Sequence, residues 1–223
     1  MSTDNDPRGA ILQRDKTTYA IVPRTPAGLV TADILEALAR VVRKFEIPIV
    51  KITSGQRLAL VGLKKEEVEQ VWEDLRMDVG RAFELCLHYV QACPGTAVCR
   101  FGQQDSLGLG LELEKTYAER ETPAKLKIGV SGCPMCCAES YLRDIGLIGK
   151  KSGWTVTFGG NAGGRPRVAD VLAENLNREE AVQLVHSCIE FYNGNGKKKE
   201  RTARLVERLG SDVVRDGILG TGK

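Results

Sequence analysis

The sequence predicts an α/β (α+β) protein built in two parts. Hydrophobic residues make up 42% and charged residues 27% of the 223 residues, which is ordinary for a folded globular protein. Apolar residues recur at helical and at strand spacing in turn along the chain. All seven cysteines follow Gly80. We therefore expect a flexible arm over residues 1–16, a first domain over 17–79, a second domain over 80–196 and a basic tail over 197–223.

The first domain follows the order strand, helix, strand, strand, helix. TTYAIV (17–22) has strand character, and Thr31 is placed to cap a helix with apolar residues at helical spacing. The branched stretch 47–52, a TSGQ turn and the alternating stretch 57–63 predict a β-hairpin. A second helix is expected from about Lys64 to Met77. The order βαββα is most of a ferredoxin-like half-domain.

The second domain is expected to mix helices and strands, with its cysteine loops at their ends. A helix capped by Asp105 or Ser106 precedes the strand KLKIGV (125–130). The strand WTVTFGG (154–160) and a closing helix over 178–192 follow. The basic tail, which begins KKKERTAR, predicts a solvated surface helix, and docking to an acidic redox partner is the alternative.

Charge and hydropathy exclude two classes of protein. A net charge of +3 is too small for a general nucleic-acid binder. No apolar run approaches the ~18 residues that a membrane span needs, and MSTDNDPRGA lacks the order of a secretory signal. We therefore expect a cytoplasmic protein with no nucleic-acid or membrane partner.

Four of the cysteines form two close pairs. Five residues lie between Cys93 and Cys99, and three between Cys133 and Cys137. Four thiolates suit a tetrahedral zinc or a four-iron cluster, and zinc sites favour gaps of two residues, so the spacing disfavours a zinc ribbon. We expect core positions on helical faces for Cys86 and Cys188, and structural positions on helices for His88 and His186.

The loops around these cysteines resemble a known family. CPGTAVC (93–99) and SGCPMCCAE (131–139) are similar to the two cysteine motifs of the sirohaem and 4Fe-4S sulfite and nitrite reductases. The segments 23–31, 51–62 and 123–133 resemble further motifs of the family, and all five occur in its order. With one copy of the repeated unit, the chain resembles the family's small single-copy assimilatory-type sulfite reductases.

The resemblance implies two coupled cofactors, a 4Fe-4S cluster and sirohaem. It implies that Cys93, Cys99, Cys133 and Cys137 hold the cluster and that Cys137 is also the axial ligand of the sirohaem iron. Thiolate is soft and anionic, so it can share electron density between two irons. Cys136 is interpreted as a bystander.

Sirohaem carries many carboxylates, so its pocket needs cationic and amide donors. The resemblance implies contacts from the first domain and from a Gly-rich loop of the second. The residues are Arg24, Lys51, Thr53, Gln56, Asn161, Gly163, Gly164 and Arg165.

Lys125 and Lys127 alternate on one predicted strand, so both ammonium groups are expected on the same side. By resemblance, the pair would bind the substrate anion, sulfite or nitrite, and deliver protons. Arg100 is a further candidate for this pocket. We expect a reductase of sulfite to sulfide, with nitrite as the alternative substrate, fed by an external electron donor such as a ferredoxin-like protein.

Two features favour a different function for the same centres. The chain has a single copy of the repeated unit, which a homodimer could complement. Val22 stands where larger members of the family tend to have an arginine. Both features suit a non-catalytic redox relay or ligand sensor. A zinc-stabilised nucleic-acid module that uses the basic tail is a third hypothesis.

Overall fold

The computed structural model describes residues 6–80, 85–118 and 120–221. The chain divides into two compact units, Met1–Glu84 and Leu85–Lys223. The division falls a few residues beyond the predicted boundary after residue 79. Residues 1–5 of the predicted arm lie outside the described residues.

In the described part of the first unit, the strands form one antiparallel sheet in the order β1-β2-β4-β3, with two helices. The elements are β1 (Ala10–Leu12), β2 (Tyr19–Ile21), α1 (Ala32–Lys44), β3 (Ile49–Ile52), β4 (Leu58–Leu63) and α2 (Val68–Leu75). The predicted βαββα order is confirmed, as are the hairpin β3–β4 and the Thr31 cap, whose side chain accepts the Ile34 N–H.

The prediction of a flexible arm is wrong for the segment that forms β1. Ala10 pairs with Ile21 and is buried, and the Trp72 indole donates a 2.9 Å hydrogen bond to the Arg8 carbonyl. A strand of three residues is too short to show an alternating pattern. Its order comes from pairing with β2 and from the packing of Ala10 in the core of the first unit.

The described strands of the second unit form a mixed sheet in the order β5-β6-β7-β8-β9. Its first three strands are parallel, and β8 and β9 run antiparallel to their neighbours. The elements are β5 (Leu87–Ala92), α3 (Ser106–Tyr117), β6 (Leu126–Ser131), β7 (Ile145–Lys150), β8 (Gly153–Phe158), β9 (Asp170–Leu176), α4 (Arg178–Asn195), α5 (Thr202–Leu209) and α6 (Ser211–Leu219). The predicted helices α3 and α4 and strands β6 and β8 are confirmed.

The helical positions expected for His88 and Cys86 are wrong. His88 lies on β5, and Cys86 forms an isolated bridge with Glu121. Strands buried on both faces read as continuous apolar runs, which periodicity alone does not distinguish from helix. Cys86 and Cys188 are both buried, as expected for core positions.

The two faces of β6 have different roles. Leu126, Ile128 and Val130 are fully buried. Gly110 of α3 packs directly against Ala92 of β5, because a Cβ on Gly110 would meet the Ala92 side chain. The helix α3 therefore covers this side of the sheet. Lys127, Gly129 and Ser131 alternate with these residues and therefore point to the opposite face. We call this opposite face, with the neighbouring residues of β5, the polar face.

The interpretation of the tail as a solvated basic helix is wrong. Its residues form α5 and α6, which belong to the second unit. Their apolar residues Leu205, Val206, Val214 and Ile218 are buried. The basic run KKKERTAR drew attention to charge, whereas the apolar residues that follow it decide the packing. None of the described helices is long and apolar enough to span a membrane.

Candidate metal centre and anion site

The cysteine loops begin where two parallel strands end. Cys93 follows β5 and Cys133 follows β6, and the carboxyl ends of neighbouring parallel strands meet at one edge of a sheet. The Cys93 N–H donates a 3.1 Å hydrogen bond to the Val130 carbonyl, which extends the pairing of the strands into the loops. The fold therefore brings together segments that lie far apart in the sequence.

The two loops approach each other closely through glycine. A Cβ on Gly132 would lie 2.7 Å from the Gly95 Cα, and Gly95 itself has φ of 54°. The amides of Gln103 and Gln104 both donate to the Gly132 carbonyl, at 2.8 and 3.0 Å. Larger side chains would separate the loops and the cysteines they carry.

The second loop is held by buried serines. Ser131 Oγ accepts the Ala138 N–H at 3.1 Å and lies 2.8 Å from Ser140 Oγ, which donates to the Leu147 carbonyl. Cys136 and Glu139 have φ of 55° and 53°, in the left-handed region. These bonds hold a strained turn around Cys137.

The predicted ligand cysteines lie near one another. Partial desolvation raises the pKa of the Cys137 thiol, and the charges of Cys93, Cys133, Cys99 and Cys136 raise it further. Thiolates that repel one another in this way are stabilised when they bind a cation. Cys137 is exposed, whereas Cys133 is buried.

The surroundings of the sulfurs suit an iron–sulfur cluster. Cys93 Sγ accepts the Gly132 N–H at 3.1 Å and lies 3.3 Å from Ser106 Oγ. Hydrogen bonds to the ligand sulfurs are one of the means by which proteins set cluster potentials. Across the described ranges, no group of three or more His, Cys, Asp or Glu side chains is arranged to hold a single ion.

The polar face carries a group of cations. Lys127 Nζ lies 5.7 Å from the centroid of the Tyr89 ring, and Arg143 Cζ lies 5.9 Å from it. Burial lowers the pKa of the Lys127 ammonium, and Arg201 lowers it further, while Asp144 raises it. Arg143 and Lys125 also lower the pKa of Lys127, which places Lys125 in the same electrostatic environment.

Arg143 is a buried residue of this site that the sequence reasoning missed. Its guanidinium donates to Gln91 Oε1 and, at 2.7 Å, to Glu139 Oε2. Gln91 lies two residues before Cys93, and Glu139 lies two residues after Cys137, so Arg143 joins the two cysteine segments. A Cβ on Gly129 would meet the Arg143 side chain at 2.7 Å, which puts Arg143 on the polar face.

A free donor remains at this position. Arg143 Nε is buried and has no hydrogen-bond partner among the described residues, and the residue is only 6% exposed. An anionic group fits beside such a donor. The local signal was a pair of charged residues, Arg143 and Asp144, directly before a buried apolar strand.

The remaining predicted residues of the second unit lie in loops. Arg100 is exposed, with its guanidinium carbon 4.6 Å from the centroid of the Phe101 ring. In the Gly-rich loop, the Asn161 side-chain amide donates to the Arg165 carbonyl at 2.7 Å, and Arg165 pairs with Glu207 at 3.2 Å. Gly163 and Gly164 are exposed. The Asn161 side chain therefore closes the loop, and the backbone of Gly163 and Gly164 is exposed to solvent.

The four predicted residues of the first unit lie around the β3–β4 hairpin. Lys51 is on β3, and Thr53 and Gln56 are in the turn that follows. The loop that carries Arg24 contacts this turn, because Thr25 Oγ1 donates to the Gln56 carbonyl at 3.2 Å. Their contact with sirohaem stays a prediction.

The two-part fold with neighbouring thiols has its match among known protein families. Residues 85–220 match the nitrite and sulphite reductase 4Fe-4S domain, and residues 11–78 match the nitrite/sulfite reductase ferredoxin-like half domain. The chain belongs to the nitrite and sulphite reductase family. The resemblance drawn from the motifs is confirmed, and the predicted cofactors, sirohaem and a 4Fe-4S cluster, are those of the family.

Relatives differ in how much of their length the chain covers. It is 62% identical over 216 residues to an assimilatory-type sulfite reductase of Nitratidesulfovibrio vulgaris, a match that spans 97% of this chain and 99% of that protein. It is 42% identical over 210 residues to a nitrite reductase [NAD(P)H] of Bacillus subtilis, covering 94% of this chain but only 26% of that relative.

Solved structures confirm the fold class. Dissimilatory sulfite reductase I superposes with a TM-score of 0.80 at 15% identity, covering 92% of this chain and 70% of that one. The Mycobacterium tuberculosis NirA protein superposes with a TM-score of 0.79 at 18% identity, covering 92% of this chain and 40% of that one. The α/β (α+β) prediction, a ferredoxin-like half-domain followed by a cluster domain, is correct.

Proposed function

We propose that this protein reduces sulfite to sulfide with electrons from an external donor such as a ferredoxin-like protein. The observation that carries the proposal is the polar face of the second unit. It leads along β6 from the cationic Lys127 to Ser131 and the cysteine loop. At about 3.3 Å per residue, the Cα atoms of Lys127 and Ser131 are about 13 Å apart, so an anion site and a redox centre fit on one face. The full-length match to an assimilatory-type sulfite reductase supports the same function.

The cysteines and basic residues would hold the two cofactors. We assign Cys93, Cys99, Cys133 and Cys137 to the 4Fe-4S cluster and the Cys137 sulfur also to the sirohaem iron. We assign the sirohaem carboxylates to Arg24, Lys51, Thr53, Gln56, Asn161, Gly163, Gly164 and Arg165. When bound, the 4Fe-4S cluster and sirohaem would supply the electrons and the iron at which sulfur–oxygen bonds are broken.

Lys125 and Lys127 would bind the sulfite oxygens and supply protons. Each oxygen that leaves as water must be protonated, and an ammonium in contact with it can donate that proton. Burial lowers the pKa of Lys127 below its ordinary value, which makes this ammonium a better acid near neutral pH. Arg100 is assigned to the same anion, because it directly follows the ligand Cys99.

Nitrite is the second candidate substrate. The nitrite reductase of Bacillus subtilis and a nitrite reductase (NADH) large subunit of Escherichia coli, 38% identical, match nearly the whole chain. The chain spans only 26% of each. A homodimer and a cytoplasmic location remain predictions.

We expect the anaerobically purified holoprotein to convert sulfite to sulfide with reduced methyl viologen as donor. Sulfide is quantified chemically, and the rate is expressed per sirohaem. Nitrite, assayed for ammonia in parallel, is expected to react more slowly. If neither anion is reduced while the centres take up and return electrons rapidly, the protein is a redox relay, the function favoured by the buried Val22.

A further inference from the structure

The carboxylate of Asp144 joins three elements of the second unit. Asp144 is fully buried immediately before β7. It accepts hydrogen bonds from Arg201 Nε at 3.1 Å, Arg201 Nη2 at 2.6 Å and Thr202 Oγ1 at 2.6 Å. It also accepts the backbone N–H of Lys127 at 2.9 Å. The start of α5 is thereby fastened to the strand that carries Lys127.

Asp144 lies within a group of cations. The charged groups around the Lys127 ammonium are Lys125 ahead of β6, Arg143 and Asp144 ahead of β7, and Arg201 ahead of α5; the titratable ring of Tyr89 on β5 also faces it. Tyr192 of α4 interacts electrostatically with Asp144. Burial, Arg201, Arg143 and Lys125 all lower the pKa of Lys127, whereas Asp144 raises it.

We propose that Asp144 is a positioning residue of the anion site, which fixes β6 through the Lys127 amide and places a buried carboxylate beside that residue. The C-terminal segment that supplies Arg201 and Thr202 is then part of the site rather than an appended tail. The inference rests on the proposed role of Lys127 in binding the substrate anion.

Two substitutions should act on Lys127 with opposite sign. Asp144→Asn keeps the size of the side chain but removes its charge, so burial and three like charges act on Lys127 without compensation. Arg201→Gln removes one cation that repels the Lys127 ammonium, and the Asp144 carboxylate loses that cation as a partner. Loosening of the structure would act in the same direction in both variants.

The test measures the protonation of Lys127 directly. The holoprotein is labelled with trace acetic anhydride across a pH series, and the acetylation of each lysine is read by peptide mass spectrometry. Relative to wild type, we expect the Lys127 midpoint to fall by about one pH unit in Asp144→Asn and to rise by a similar amount in Arg201→Gln. Lys150, which pairs with Glu174 at the surface, should keep its midpoint in every variant.

A third variant separates charge from packing. Thr202→Val removes one hydroxyl bond to Asp144 and leaves both charges, so the Lys127 midpoint should stay within about 0.3 pH units. A midpoint that is unchanged, or that moves in the same direction, in Asp144→Asn and Arg201→Gln would overturn the inference. Should Asp144→Asn fail to fold, a rise in Arg201→Gln that is absent from Thr202→Val agrees with the proposal, and no rise in Arg201→Gln contradicts it.

A turnover measurement distinguishes this inference from the proposed function. The alkaline limb of kcat/KM for sulfite should shift with the Lys127 midpoint in each variant. If labelling shows the opposite shifts while the turnover profiles coincide, Asp144 sets the charge of Lys127 as inferred. The role of Lys127 in sulfite binding is then wrong.

Discussion

Cys137→Ser is expected to lose the 4Fe-4S cluster and its electronic coupling to sirohaem together, with sulfite turnover falling at least about a hundredfold. The reason is that one sulfur is assigned to both centres. A serine oxygen is harder and far less polarisable than thiolate, so it does not bridge two irons equally well. Iron content, the optical spectrum and turnover of the anaerobically purified variant measure the effect.

Cys136→Ser is the matched control for this substitution. Cys136 lies next to Cys137 in the same loop and is half-buried, and its sulfur lies 3.8 Å from Ser131 Oγ. A serine hydroxyl can accept the same bond, so cluster content should be close to wild type. The assignment is wrong if Cys136→Ser abolishes the cluster while Cys137→Ser keeps its iron and spectrum.

Lys127→Ala is expected to slow sulfite reduction roughly ten- to a hundredfold in kcat/KM. A charge-assisted contact to an anion in a partly buried site contributes about 1.5 to 3 kcal/mol. The ammonium of Lys127 is half-buried beside Tyr89, where water screens it less than at the surface. The Lys125→Ala, Lys127→Ala double variant should lose more. Rates are expressed per sirohaem, because these lysines could also hold its carboxylates.

Lys150→Ala serves as the control for charge removal in the same sheet. Lys150 lies on β7 and pairs with Glu174 at the surface, and such pairs contribute about 0 to 1 kcal/mol. Its turnover should match wild type. Equal rates for Lys127→Ala and Lys150→Ala, with cofactors retained, would remove Lys127 from the anion site.

The elements that could be predicted from the sequence are those specified by local pattern. Thr31 followed by helical apolar spacing gives α1, and the TSGQ turn between branched segments gives the β3–β4 hairpin. The strands β5 and β7 could not be assigned, because buried parallel strands lack an alternating pattern. β1 was missed because a strand of three residues shows no alternating pattern, and its order depends on pairing with β2.

The residues of the candidate site also divide into those that a local motif indicates and those that only the tertiary structure brings together. The candidate ligand cysteines could be singled out because they lie in short loops whose local motifs resemble those of the family. Asp144 and Arg201 lie 57 residues apart, and no periodicity connects them. Arg143 is equally dependent on tertiary structure, since its partner Gln91 is on another strand. Polar groups that hold the site residues in place, without contacting the ligand themselves, can be identified only in the folded structure.

The most direct test of the account is the metal and sulfide content of the anaerobically purified protein. Four cysteine ligands to a 4Fe-4S cluster beside sirohaem predict about five irons and about four acid-labile sulfides per chain, without zinc. About one zinc per chain with no acid-labile sulfide would contradict the account, because the same cysteines would then form a structural zinc site.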